Sequence, residues 1–353
     1  MDASHTSAAV QDGQRRGGLP VVAVFGAYGY TGRFVVAELL AFGCRPLLTG
    51  RDAERLAEIS AAHSGLVVRA ATVESPDSLD RALDGAAAVV NCAGPFMDTA
   101  APLIEAALRT RVHYLDVTAE QVVARAAFER FAEPARTAGV MIVPAMGFYG
   151  GLGDLLTTAA MGDWETADEV AIGTALDRWQ PTLGTRRTGQ RNVARRLVVS
   201  NGRLEPLADP APRRSWSFPE PFGAQEVVEI GLSEIVTIFQ HLRASEVHAF
   251  LSAAPLRDLR DPDTPPPAAS DTSGRSPQVF LTEVIVRKGS EERRAVARGR
   301  DIYAVSGSLI AAAACRAASG RVSSAGVFAP GEAFDARELL SSLLGPYFSF
   351  EIR

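Results

Sequence analysis

The stretch "VVAVFGAYGYTGR" (residues 21–33) decides the fold. Its apolar run up to Phe25 is the pattern of a strand buried on both faces of a parallel sheet. Gly26, Gly29 and Gly32 follow, and then "TGRFVVAELLAFG" places Phe34, Val35, Leu39 and Leu40 at helical spacing before stopping at Gly43. A strand, a glycine turn and a helix in this order aim free backbone N–H groups and the positive end of a helix dipole at one point, which suits a pyrophosphate. The spacing is GxxGxxG rather than the commoner GxGxxG, with Tyr28 where that motif has its second glycine. Tyr28 and Tyr30 are then free to pack or to cover a bound dinucleotide.

Outward from this turn the rhythm repeats. "RPLLTG", "LVVRAATV", "AAAVVNCAG", "VHYLDVTAE" and "VMIVPAMG" read as strands separated by helical stretches up to residue 147. Such alternation implies right-handed crossovers and a parallel sheet covered on both faces. After about residue 162 the pattern changes. "DEVAIGTAL", "RLVVSNGRL", "RSWSF", "QEVVEIG", "QVFLTEVIVRKG" and "EERRAVARGRD" read as antiparallel strands. The expected fold is therefore α/β, a Rossmann doubly wound parallel sheet plus a second α+β domain with a mainly antiparallel sheet. The expected divisions are a disordered tail over 1–18, an NAD(P)-binding domain over 19–150, a substrate or dimerisation domain over 151–305, and C-terminal helices over 306–353 packing back on the first domain. Residues 258–277, rich in Pro, Ser, Asp and Thr, read as a mobile loop.

The whole composition narrows the function. With 353 residues, 47% of them hydrophobic and 22% charged, the chain has material for two packed domains. A net charge of -5 and a pI near 5.7 lack the basic surplus of a nucleic-acid-binding surface. No apolar run reaches the roughly 18–20 residues that span a bilayer. The polar opening "MDASHTSAAVQDGQRRGG" lacks the hydrophobic segment of a secretion signal, so a cytoplasmic location is expected. Cys44, Cys92 and Cys315 are far apart and show no zinc or disulfide-framework spacing. They read as reduced thiols, and no metal site is expected.

The strand ends carry the candidate site. "LLTGRD" puts Gly50 and Arg51 at the end of the second strand, where an arginine can pair with the 2′-phosphate of NADP(H). Arg33 on the first helix can assist, whereas a small shift of the strand end would let Asp52 serve NAD(H) instead; NADP(H) is preferred. In "NCAGPF", Cys92, Ala93, Gly94 and Pro95 form a strand end small enough for a flat cofactor to pass. In "YLDVTAEQ", Asp116 and Glu120 put carboxylates at the carboxyl edge of the sheet, and Thr118 and Gln121 fit a helix-capping box. In "MGFYGGLGD", Phe148 and Tyr149 lie on the substrate side, with Tyr149 the candidate proton donor for a carbonyl or enone. Asp154 lies one turn inside the next helix, where a carboxylate complements the dipole. In "LDRWQPTLGTRRTGQRN", Arg178, Trp179, Arg186, Arg187 and Arg191 gather cations around an aromatic in a loop, a set suited to a substrate carboxylate or a carrier phosphate. The five histidines do not cluster; His241 and His248 read as packing or surface residues.

"GAYGYTGR", "TGRD", "NCAGPF", "YLDVTAE" and "VPAMGFYGGLGDLL", in this order, resemble the saccharopine dehydrogenase-like reductases, which include saccharopine reductases and trans-acting enoyl reductases. The resemblance is dense over 21–160 and returns weakly at "GVFAP" (326–330). It implies a Rossmann domain that binds NADP(H) and a second domain inserted before terminal helices. By that likeness Gly26, Gly29, Thr31, Gly32, Arg33 and Arg51 line the phosphates, while Cys92, Ala93, Gly94 and Pro95 flank the ribose and nicotinamide, with 114–120 nearby. Two positions depart from the pattern, Ala119 where enoyl reductases tend to carry glycine and Tyr149 where many relatives carry aspartate. The activity implied is hydride transfer from NADPH to a small imine, enone or carbonyl. A partner-dependent enoyl reductase acting on a carrier-bound lipid or polyketide intermediate and a non-catalytic NADP(H)-binding redox sensor are the alternatives. A homodimer through the antiparallel sheet is left open.

Overall fold

The computed structural model describes residues 18–320 and 324–353. The tail read at 1–18 lies, but for Gly18, outside the described residues. The first half alternates strictly: β1 (Val21–Phe25), α1 (Tyr30–Ala41), β2 (Arg45–Gly50), α2 (Ala53–Ala62), β3 (Val68–Ala70) and α3 (Pro76–Leu83). It continues through β4 (Ala88–Asn91), α4 (Phe96–Thr110), β5 (His113–Asp116), α5 (Gln121–Ala138) and β6 (Met141–Val143). A π-helical turn at Phe148–Leu152 leads into α6 (Gly153–Met161).

The second half opens with β7 (Thr166–Leu176), α7 (Leu183–Arg191), β8 (Leu197–Ser200), β9 (Arg203–Pro206), β10 (Arg213–Ser217) and β11 (Ala224–Glu229). Next come α8 (Ser233–His241), β12 (Arg243–Ser252), α9 (Ala253–Arg260), β13 (Val279–Lys288) and β14 (Glu291–Arg300). The chain closes with α10 (Ile302–Ala318), β15 (Gly326–Val327), α11 (Pro330–Ala333), α12 (Ala336–Ser341) and β16 (Phe348–Ile352).

The first sheet has the order β15-β6-β5-β4-β1-β2-β3, every pairing parallel. Its central strand β1 is apolar along its length because helices cover both faces; Val22, Ala23 and Val24 are fully buried. The order reverses between β1 and β4, and the carboxyl ends of those strands leave a crevice there. The second sheet runs β10-β11-β12-β7-β13-β14-β16, antiparallel except for β12 on β7, with the β8–β9 hairpin joined to β12. The parallel-plus-antiparallel architecture expected from the patterning is the one observed.

Several elements differ from the expectation. His241 ends α8 and His248 lies on β12, so the segment that holds both is a helix followed by a central strand. The stretch expected as C-terminal helices ends in β16, which pairs with β14. The loop read at 258–277 begins inside α9, and its far end is tied down: Ser276 donates its N–H to Asp301, and Arg300 donates to the Ser276 carbonyl.

Helix α10 is alanine-rich and buried almost all round, as its position against α1 requires. A β-carbon on Gly307 would stand 2.7 Å from that of Phe34, so only glycine permits this approach. The same packing overturns the reading of three reduced thiols. Cys44 and Cys315, 271 residues apart, are joined as a disulfide with Cα atoms 6.1 Å apart, and Cys92 alone is free among the described residues. Sequence spacing cannot show a pairing made by two elements so distant along the chain.

Candidate functional site

The glycine turn is shaped by contact. Gly26 has φ +87, and a β-carbon there would stand 3.0 Å from that of Ala93, so β1 and the β4 end meet at this point. A β-carbon on Gly32 would lie 2.3 Å from the Gly26 carbonyl oxygen, which fixes how closely α1 packs on β1. Helix α1 starts at Tyr30 behind Gly29, with no side-chain cap, so the amides of its first turn are left for an anion.

At the end of β2, the Tyr28 ring lies against Gly50, 3.0 Å from where a β-carbon would stand. The Arg55 guanidinium covers that ring at 4.6 Å from its centroid. Arg51 is exposed, with no carboxylate partner among the described residues. Asp52 caps α2, its carboxylate accepting the Arg55 N–H at 3.1 Å. Arg33 lies over the Tyr30 ring at 5.1 Å. Tyr30 donates its hydroxyl proton to Asp301 at 2.7 Å and meets Phe34 and Tyr303 edge-on, so this tyrosine joins α1 to the start of α10. Burial and then the Asp301 charge hold its hydroxyl protonated. The arrangement fits a dinucleotide: open amides, an aromatic beside a strand end, and a free arginine next to an aspartate already used as a cap.

Beneath the crevice runs a buried polar chain. Asn91 accepts the Ala93 N–H and donates to Thr99 and Tyr114, and Tyr114 donates to Asp116 at 2.9 Å. Asp116 also accepts the N–H groups of Thr118 and Ala145. Burial raises its carboxyl above the usual range, opposed by these hydrogen bonds. These contacts shape the β4 and β5 ends that a cofactor would cross. Burial, then the Asp116 charge, pushes the Cys92 thiol up.

The expected capping box at Thr118 and Gln121 does not form. Thr118 accepts the Glu120 N–H, whereas the Gln121 side chain reaches Leu197 and the Leu232 carbonyl, tying α5 to β8 and to the start of α8. A long amide that can satisfy three distant backbone groups is better used there than at its own helix end. Glu120 instead caps α4, its carboxylate accepting the N–H groups of Phe96 and Met97 at 2.9 and 3.2 Å. Burial pushes this carboxyl up to about 7 against those hydrogen bonds.

One cleft of about 550 Å³ joins the two halves of the molecule. Thr31, Cys92, Gly94 and Glu120 border it from the first sheet and its helices, Phe148 and Tyr149 from the π-helical turn, and Trp179 and Arg186 from the second half. Thr118, Ala93 and Pro95 stand behind this wall, and Tyr28, Gly50 and Arg51 lie beyond it at the β2 end.

Tyr149 sits in the π-helical turn, its ring 5.3 Å from that of Trp179. Its hydroxyl is enclosed without a hydrogen-bond partner. Burial raises it well above the ordinary tyrosine range. Trp179 donates its indole N–H to the Tyr303 hydroxyl, which also accepts the Thr182 N–H.

The arginine-rich stretch expected as a loop is the helix α7, capped by the Thr182 side chain. Of its cations only Arg186 borders the cleft, donating also to the carbonyls of Asp261 and Thr264. Arg178 is turned to its neighbour Asp177, and Arg191 pairs with Asp98 of α4. Arg196, Arg260 and Tyr303 also line the cleft and carry no local motif, since folding alone brings them there. His241 pairs with the fully buried Asp154 at 3.2 Å, away from the cleft, and Asp154 accepts the Gly331 N–H.

Residues 22–143 match the family model described as the saccharopine dehydrogenase NADP binding domain. A saccharopine dehydrogenase-like oxidoreductase of Homo sapiens is 26% identical over 224 residues, 55% of this chain and 52% of that protein. A "probable mitochondrial saccharopine dehydrogenase-like oxidoreductase" of Arabidopsis thaliana is 31% identical over 140 residues, covering 35% and 31% of the two chains. A trans-acting enoyl reductase of Mycobacterium leprae (strain TN) is 30% identical over 136 residues, 36% of this chain and 32% of that one. The chain thus spans between about a third and a half of the length of these relatives. The solved structure of apo saccharopine dehydrogenase (L-Glu forming) of Saccharomyces cerevisiae shares the fold, with a TM-score of 0.69 and 12% identity over 95% of this chain and 100% of that one. Residues 22–143 are thus similar to the NADP-binding domain of saccharopine dehydrogenases, and the chain shares the fold of saccharopine dehydrogenase.

Proposed function

We propose that the protein is an NADPH-dependent reductase of a small imine, enone or carbonyl metabolite. The observation that carries this reading is the cleft of about 550 Å³, which runs from the start of α1 and the β4 end to an aromatic wall of Phe148, Tyr149, Trp179 and Tyr303. Bound NADPH would supply a hydride there. The α1 amides and Arg51 would hold its phosphates, and Cys92 and Gly94 would pass its ribose and nicotinamide. The aromatic wall would exclude water, Arg186 would attract an anionic group of the substrate, and Tyr149 would provide a proton. Arg178 takes no part in this reading.

Steady oxidation of NADPH with a panel of free imines, enones and carbonyl compounds tests the proposal. Tight NADP(H) binding without turnover across the panel would favour a redox sensor instead. A second reading, an enoyl reductase acting on a carrier-bound intermediate, draws on the relative of that name. It is also favoured by two exposed apolar side chains at the ends of α7, Leu183 as its first residue and Val193 just past its last, exposed at 62% and 89%. Turnover of a carrier-bound enoyl substrate but not of its free counterpart would select it. A homodimer belongs to the same proposal and is measured by sedimentation. The Cys44–Cys315 pair removes the reduced thiols that accorded with a cytoplasmic location. No described helix is long and apolar enough to cross a membrane.

A further inference from the structure

We propose that α7 is a flap over the crevice, latched to the first domain by the Arg191–Asp98 ion pair, and that opening of this latch sets how fast the dinucleotide enters and leaves. Gly184, Thr185, Thr188 and Gln190 of α7 line the same cleft as Cys92 and Gly94 of the β4 end. Thr188 lies directly on that strand end, its hydroxyl oxygen 2.8 Å from where a β-carbon on Gly94 would stand. This is the narrow passage given above to the ribose and nicotinamide, and α7 covers it.

The helix is built to move at small cost. None of its nine residues is buried, so lifting it exposes no packed apolar surface. Gly184 and Gly189 weaken it from within. Both flanks are anchored. At the start, Thr182 donates its N–H to the Tyr303 hydroxyl, Thr185 shares a hydrogen bond with that hydroxyl at 3.0 Å, and Arg186 donates to the carbonyls of Asp261 and Thr264. Past the end, Arg195 donates to the Leu207 carbonyl and Leu197 donates its N–H to Gln121. Between these anchors, among the described residues, Arg191 alone sends a hydrogen bond out of the segment 187–194, to Asp98 in the first turn of α4 at 2.5 Å.

The latch is weak by construction. Its partners are 58% and 44% exposed, where an ion pair is worth little and salt screens it. It therefore opens readily for a ligand, and on closing it shields what lies beneath α7 from water. The inference rests on the NADP(H) reading of the crevice and is independent of which substrate is reduced.

Stopped-flow fluorescence of the full chain with NADPH, followed by displacement with excess NADP+, reads both rates. Asp98→Asn and Arg191→Gln are each expected to raise the association and dissociation rate constants about 2- to 5-fold, with Kd nearly unchanged. Electrostatic steering would instead move association in opposite directions in the two variants and leave dissociation alone. That result, or unchanged rates, would overturn the proposal. Cys92, the free thiol on the cleft wall, reads the flap with no cofactor present. Its reaction with a maleimide, located by mass spectrometry, is expected to quicken by a similar factor in both variants. Unaltered labelling would overturn the flap whether or not NADPH binds. A chain that labels faster yet binds no NADPH would uphold the flap and overturn the cofactor reading, and the gating with it.

Discussion

The Asp52 carboxylate accepts the backbone N–H of Arg55 at 3.1 Å and so caps the helix that follows the β2 end. An aspartate at this place would otherwise be the natural partner of the ribose hydroxyls of NAD(H). Its neighbour Arg51 has no carboxylate partner among the described residues. Arg51→Ala is therefore expected to weaken NADPH binding about 10-fold or more, in keeping with the loss of a charged hydrogen bond, while leaving NADH binding nearly unchanged. Fluorescence titration with both dinucleotides reads the difference, and an equal loss for both would refute the 2′-phosphate assignment.

Gly32→Ala should damage the turn itself. Its new methyl group would meet the Gly26 carbonyl oxygen at 2.3 Å, a backbone atom that cannot swing aside. Helix α1 would have to move off β1, with a loss of roughly 1–3 kcal/mol of stability and of most dinucleotide affinity. Thermal melts with and without NADPH measure both effects. An intact melt with intact binding would show that the turn tolerates the shift.

Tyr149→Phe removes a hydroxyl with no partner among the protein's atoms, so the melting temperature and NADPH affinity should change little. Turnover should fall about 100-fold if this hydroxyl supplies the proton. Unchanged turnover would return Tyr149 to a packing role against Trp179.

Burial raises the carboxyls of Glu120 and Glu234 from 4.5 to about 7. Between those values the folded protein holds protons that the unfolded chain has released, so stability falls as pH rises through this window. Each group contributes up to about 3 kcal/mol to the fall. His241 acts in the same direction. Burial lowers its pKa, but the Asp154 charge and hydrogen bond outweigh that, so the net shift is upward and its stabilisation is lost as pH climbs past 6.5. Melting temperatures against pH should slope downward, and Glu120→Gln should flatten the slope. A profile unaffected by Glu120→Gln would show that this carboxyl is ionised throughout.

The first half of the fold was legible because its signals are local. An apolar run ending at Gly26 and helical spacing from Phe34 to Leu39 dictate strand, turn and helix whatever lies elsewhere in the chain. The β12 strand was less legible, since "RASEVHAFLS" mixes charges with apolar residues on a central strand whose neighbours cover it unevenly. The arginine-rich stretch misled for a related reason. Helix α7 buries none of its residues, so no apolar stripe announces it.

By itself the sequence determined the doubly wound architecture, the dinucleotide turn and the crevice at the strand ends, because each follows from periodicity and from glycines that short-range contacts demand. Only the tertiary structure decided which side chains share the cleft. It gave Tyr30 to Asp301 and Gln121 to β8, and it brought Arg196, Glu234 and Tyr303 to Tyr149 from remote segments. Hydrogen-bond partners and burial depend on how distant elements pack, and no local spacing encodes that.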